Sequence, residues 1–194
     1  GVLLLAHNYS NPAGLAEYIN SIQGLRKEYP LFMTIDHEGG RVHRLKPHFT
    51  HFPSMMEVSK LNSPKLCYEV HRIMAEELRA CGINVSYSPC TDILQNAQNK
   101  VIGDRAFGQT EEAVSKFVTS AIRGLQANGI IACAKHFPGH GRTAKDSHFD
   151  LPVLKAPLSE LQETDFIPFK KAAKARVEMI MMAHLMVDSI DEKW

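Results

Sequence analysis

Within fourteen residues the chain places Lys135, His136, His140, Asp146 and His148. The run Lys135-His136-Phe137-Pro138-Gly139-His140-Gly141 is closed by Asp146-Ser147-His148, and it follows the apolar stretch Ile130-Ile131-Ala132-Cys133-Ala134. A buried strand that delivers titratable groups into a glycine-containing loop is how a rigid scaffold presents catalytic side chains. Asp146 and His148 are two residues apart, so in extended backbone they point the same way and the carboxylate can reach the imidazole. Such a pair makes a general acid/base that works near neutral pH, with the Asp holding the ring and stabilising its charged form. On its own, Asp-Ser-His also fits an ordinary solvated loop; its neighbours give it weight.

The same cluster admits a metal reading, because His136, His140, His148 and Asp146 are ligand types that suit zinc. Their spacing matches no familiar zinc pattern, and Lys135 would set a cation against the metal. A second motif, Asp36-His37-Glu38-Gly39-Gly40-Arg41-Val42-His43-Arg44, follows another apolar strand. Its carboxylates and Arg forks suit vicinal hydroxyls held by paired hydrogen bonds, and equally a turn with plain salt bridges. Arg105 and His184 are weaker signals. The run Met179-Ile180-Met181-Met182 reads as core packing.

The elements that must position these groups alternate. Strands are predicted over 2–6, 31–35, 83–87, 130–134 and 179–182. A helix opens at Asn11-Pro12, with Ile19, Ile22 and Leu25 on one side. Another starts at Ser63-Pro64 and ends at Gly82, a third runs from Thr110 to Gly129, and a fourth extends from a capping box at Ser159 and Gln162 toward Lys174. Alternation of apolar strands with amphipathic helices implies an α/β fold with a parallel sheet. No strand leads into Gly-x-Gly-x-x-Gly, which disfavours a dinucleotide-binding sheet. The polar motifs instead fall after the C-terminal ends of several strands, the active face of a (β/α)8 barrel. A whole barrel needs about 250 residues, so the expectation is a single domain over 1–194 holding the first five to six β/α units, cut at both ends.

With 194 residues, 44% hydrophobic content and a formal net charge of +1, the chain can bury a core and shows no basic stripe for nucleic acid. No apolar run reaches the roughly 20 residues of a membrane span. The four cysteines lack paired spacing, so buried, reduced thiols are expected.

Taken together, the Asp36 to Arg44 motif, the Lys135 to Gly141 run, Asp146-Ser147-His148 and Met182-Ala183-His184 resemble glycoside hydrolase family 3, in particular its bacterial β-N-acetylglucosaminidase branch. The resemblance runs along nearly the whole chain. It implies a (β/α)8 barrel that removes terminal non-reducing β-N-acetylglucosamine with retention, from muropeptide fragments of peptidoglycan. It implies His148 as acid/base with Asp146 as its partner, and Asp36, Arg44, Arg105, Lys135 and His136 as sugar-binding residues. It implies no metal or organic cofactor, a monomer, and a cytoplasmic site of action, with secreted and periplasmic relatives as alternatives. The family's nucleophilic Asp lies in a later motif, which neither Asp188 nor Asp191 matches. Two departures are His37, where Gln is frequent, and His7, where Arg is frequent. The rivals are a family 3 β-glucosidase or β-xylosidase, an N-acetylglucosamine phosphorylase, a non-catalytic sugar-binding module and a zinc hydrolase. The phosphorylase rests on a neutral imidazole repelling phosphate less than a carboxylate would.

Overall fold

The computed structural model describes residues 1–8, 10–26, 28–143 and 151–190. Its strands are β1 (Val2–Leu4), β2 (Met33–Ile35), β3 (Val85–Ser86), β4 (Ile131–Phe137), β5 (Val153–Leu154), β6 (Met179–Met182) and β7 (Met186–Val187). Five of them form a parallel sheet in the order β1-β2-β3-β4-β6, while β5 and β7 make a separate parallel pair. Within the large sheet, each strand's neighbour is also the next of its strands along the chain. A doubly wound sheet reverses its order at a switch point, and this one does not. The order is that of an arc of a (β/α)8 barrel, left open with β1 and β6 at its two edges.

The first four helices begin where small polar side chains satisfy free backbone N–H groups. Asn11 accepts from the Gly14 amide at the start of α1 (Pro12–Gln23), and Ser54 does the same for Glu57 in α2 (Met55–Lys60). Ser63 caps α3 (Pro64–Ala80) through Leu66, and Thr110 caps α4 (Glu111–Gln126) through Ala113. The apolar stripes of α3 and α4 bury Cys67, Met74, Leu78, Phe117, Val118 and Ile122 against the sheet residues Met33, Ile35, Ala132 and Ala134 and against Ile83 just before β3. The two helices approach closely at Gly124, where an added Cβ would come within 2.5 Å of the Tyr68 carbonyl and 2.8 Å of the His71 Cβ. All four cysteines are free and buried, as expected.

The structure departs from the sequence reading in several places. Residues 158–174 are two helices, α5 (Leu158–Glu163) and α6 (Phe166–Lys174), not one. Pro168 lacks an N–H and its ring would collide with the Thr164 carbonyl in a continuous helix, so the chain breaks at Thr164-Asp165. The expected capping box is not made: Pro157 stands at the N-cap of α5 with no side-chain hydrogen bond. Leu25, expected on the core side of the first helix, lies beyond that helix's end and is 81% exposed. Strand β4 runs on through Lys135 and His136 instead of stopping at Ala134, with its register against β6 shifted between Lys135 and Phe137. The first three strands are shorter than predicted. Helix α2 and the β5–β7 pair carry no clear periodicity and went unforeseen. None of the described helices is long and apolar enough to cross a membrane.

Candidate active site

Alternation along β4 sends Ala132 and Ala134 to the helix-covered core, while Lys135 turns toward a cavity of about 860 Å³ at the C-terminal ends of the strands. Leu3 of β1, Asp36 after β2, Tyr87 after β3, Lys135 and His136 of β4, and Met181 to His184 at the end of β6 line it. Arg44 and Arg105 join them from the loops after β2 and β3.

The turn that carries Asp36 and Glu38 depends on its glycine pair. Gly39 and Gly40 have φ of +100° and +52°, and a Cβ on either would meet the backbone of Pro53 or Ser54 at under 3 Å. This turn brings Glu38 under Lys135. The ammonium contacts Asp36 at 2.6 Å and Glu38 at 2.7 Å, while Arg105 grips both oxygens of Glu38 at 2.8 and 2.9 Å. Lys135 and Glu38 are each 2% exposed; Asp36 is 27% exposed, with its carboxylate open to the cavity. Two cations and two carboxylates therefore balance one another at the cavity wall. Burial alone would raise the Glu38 carboxyl, but Lys135 and Arg105 outweigh it and hold Glu38 ionised far below the usual carboxylate range. The same pairing overcomes burial at Lys135 and Arg105 and raises both.

Beside this network, His136 rests on the fully buried Asp92. Asp92 Oδ2 lies 2.7 Å from His136 Nδ1 and accepts the His136 amide at 3.1 Å, and Oδ1 accepts the His140 amide at 2.7 Å. Burial would raise the Asp92 carboxyl, yet His136, the His140 amide and the Cys90 thiol bring it down to about 2. Arg44 lines the cavity with its Nε buried and without a hydrogen-bond partner among the described residues.

Of the predicted site residues, the structure brings Asp36, Arg44, Arg105, Lys135 and His136 to one cavity, together with His184. Asp146 and His148 lie outside the described residues. The segment leading to them is tied down: Asn99 donates to the His140 carbonyl, and Arg142 pairs with Glu160 and with the buried Asp165 at the break between α5 and α6. Arg41, grouped with Arg44 in the sequence motif, does a different job. It pairs with Asp104 and donates to the Lys100, Val101 and Ile102 carbonyls, so it braces the loop that carries Arg105.

Sequence reasoning missed Glu38 and Asp92 as site residues. Glu38 stood in the quoted motif, and Asp92 lies in the loop after β3. The available signal was position alone, since each acid follows the C-terminal end of a strand. Among the described residues, Cys90, Asp92 and His136 are the group whose ligand atoms lie close enough for a metal. Those atoms are already engaged: the Cys90 thiol, pushed well up by burial, donates to Asp92 at 3.3 Å, and Asp92 holds His136. The set reads as a hydrogen-bond network. The zinc reading built on His136, His140, His148 and Asp146 rests half on residues outside the described ones.

The model of the glycosyl hydrolase family 3 N terminal domain matches residues 1–193. Proteins named beta-hexosaminidase from Nitrosomonas eutropha and Methylobacillus flagellatus are 36% and 37% identical over 98% and 100% of the chain. The chain spans 56% of the length of each. A glycoside hydrolase family 3 β-N-acetylglucosaminidase from Paenibacillus superposes on all of the chain with a TM-score of 0.97 at 37% identity, the chain covering 37% of that protein. NagZ from Neisseria gonorrhoeae in complex with N-trifluoroacetyl-D-glucosamine superposes with a TM-score of 0.93 at 34% identity, over 100% of the chain and 58% of that protein. The chain belongs to glycosyl hydrolase family 3, and its open arc of parallel strands is that family's N-terminal barrel-like domain.

Proposed function

We propose that the chain supplies the sugar-binding wall and the acid/base arm of a retaining β-N-acetylhexosaminidase acting on terminal non-reducing β-N-acetylglucosamine of peptidoglycan fragments. The observation that carries this reading is the charge-balanced wall of Asp36, Lys135, Glu38 and Arg105, facing an 860 Å³ cavity at the strand C-termini. Paired donors and an open carboxylate suit vicinal hydroxyls. The names of the relatives support the same sugar class.

In this reading Asp36, Arg44, Arg105, Lys135 and His136 bind the sugar. His148 protonates the leaving oxygen and later deprotonates water, and Asp146 orients it. Retaining glycosidases use two groups about 5 Å apart, and the second, a nucleophilic Asp, comes from outside residues 1–194. The enzyme works as a cytoplasmic monomer without a metal or organic cofactor.

The test uses the full-length protein and a panel of aryl glycosides. Hydrolysis of the β-N-acetylglucosaminide well above the β-glucoside and β-xyloside is expected; the reverse order overturns the assignment. His148→Ala should cut hydrolysis by about 100-fold or more for poor leaving groups and by less for good ones, which need no acid in the first step. Equal losses for both would remove His148 from the acid role.

A further inference from the structure

Asp92 is completely buried, while the ring it touches, His136, is 17% exposed on the cavity wall. The carboxylate accepts the hydrogen bonds of two backbone amides and the Cys90 thiol, which suits its ionised, acceptor-only form. The His136 Nδ1 at 2.7 Å must therefore carry a proton. On the other side of the ring, Nε2 lies 3.4 Å from Arg105 Nη2. Arginine has donors and no acceptor, so an N–H at Nε2 would point at another N–H. The two contacts together require the neutral ring, with the proton on Nδ1 and a lone pair on Nε2.

We infer that Asp92 is a positioning residue that locks this tautomer, so that the cavity meets His136 as a hydrogen-bond acceptor beside the donors of Arg105. This inference rests on the sugar-binding reading of the cavity and adds a chemical rule to it. A hydroxyl that enters takes the Arg105 N–H away from Nε2 and gives its own proton to the ring in exchange, so both groups stay satisfied. An ether oxygen or a fluorine has no proton to give. The locked ring therefore selects a free hydroxyl at one position of the sugar.

The experiment is ¹⁵N spectroscopy of the histidine rings in the full-length protein at neutral pH, with the His136 signals assigned by their loss in His136→Asn. A protonated Nδ1 and an unprotonated Nε2 are expected. A proton on Nε2, alone or with one on Nδ1, overturns the inference. Addition of N-acetylglucosamine should move the Nε2 signal. An Nε2 signal that stays put while the sugar binds overturns the acceptor role. If no sugar binds while Nδ1 is protonated, the sugar reading of the cavity fails and the tautomer stands. Asp92→Asn cannot offer acceptors to both amides and the ring, so it should mix the tautomers and lower kcat/KM by about 10- to 100-fold, the weight of one hydrogen bond to a charged group. Deoxyfluoro analogues of the substrate should show a comparable loss at one ring position; equal turnover of every analogue overturns the inference, and the wild-type spectrum decides the tautomer even if the variant does not fold.

Discussion

Glu38 matters at the scale of single residues because it is shared. Lys135 and Arg105 both lean on it inside the protein, and Asp36 alone cannot compensate two buried cations. Removing one partner of a buried ion pair costs about 3–5 kcal/mol, since the remaining charge loses its compensation. Glu38→Gln is therefore expected to destabilise the protein by that amount in denaturant unfolding. Adding Lys135→Met should recover part of the loss, because the uncompensated ammonium goes with it. A single-variant loss below about 1 kcal/mol would mean that solvent compensates these charges. The motif that holds Glu38 was plain in the sequence, but its job was not. Only the Gly39-Gly40 turn brings it beneath a lysine that lies 97 residues further along the chain.

Between elements, the seam of α3 and α4 is the most extensive contact among the described residues, and two expectations belong to it. Alanine at an exposed helical glycine gains up to about 1 kcal/mol of helix propensity. At Gly124 the added methyl would press on the Tyr68 carbonyl, the Arg72 amide and His71, so overpacking of about 1–3 kcal/mol should win and Gly124→Ala should lower the melting temperature. His71, in the same seam, is fully buried, with Nδ1 bonded to the Cys67 carbonyl and Nε2 without a partner among the described residues. Burial holds it neutral and lowers its pKa from 6.5 to about 4. The unfolded chain then takes up the proton first, so stability is full above pH 6.5 and declines as the pH falls toward about 4. The decline attributable to this group is about 3 kcal/mol. Unfolding across that range should show a shallower slope in His71→Leu than in the parent; identical slopes would assign the acid sensitivity to other groups. The caps of α1, α3 and α4 were legible as Asn11, Ser63 and Thr110 because capping is local. The break between α5 and α6 carried a local signal in Pro168, which the helical pattern on either side of it masked. Its consequence is tertiary, since it places Asp165 against Arg142.

The whole molecule is an arc with two free edges, and apolar side chains mark them: Leu3 and Leu5 by β1 and Ile180 and Met182 in β6 are 42–62% exposed. Residues 1–194 by themselves should bind an apolar dye at these edges and should not turn over an aryl N-acetylglucosaminide. The full-length chain should lose the dye signal and gain the activity. Turnover by residues 1–194 alone would contradict both the open arc and the missing nucleophile.

The sequence by itself determined what is local or periodic. Strand and helix alternation, the caps, the reduced thiols and the clustering of Lys135 and His136 at a strand end all follow from short-range chemistry. Tertiary structure alone decided which charges meet. Lys135 finds Asp36 and Glu38, Arg105 finds Glu38, and Asp92 finds His136, each across 44 to 99 residues of chain. Such pairs leave no mark in residue spacing, because parallel strands set side by side by intervening helices choose the partners. The opening cluster gained its acceptor face and its ion-pair support from acids that lie far away in the sequence.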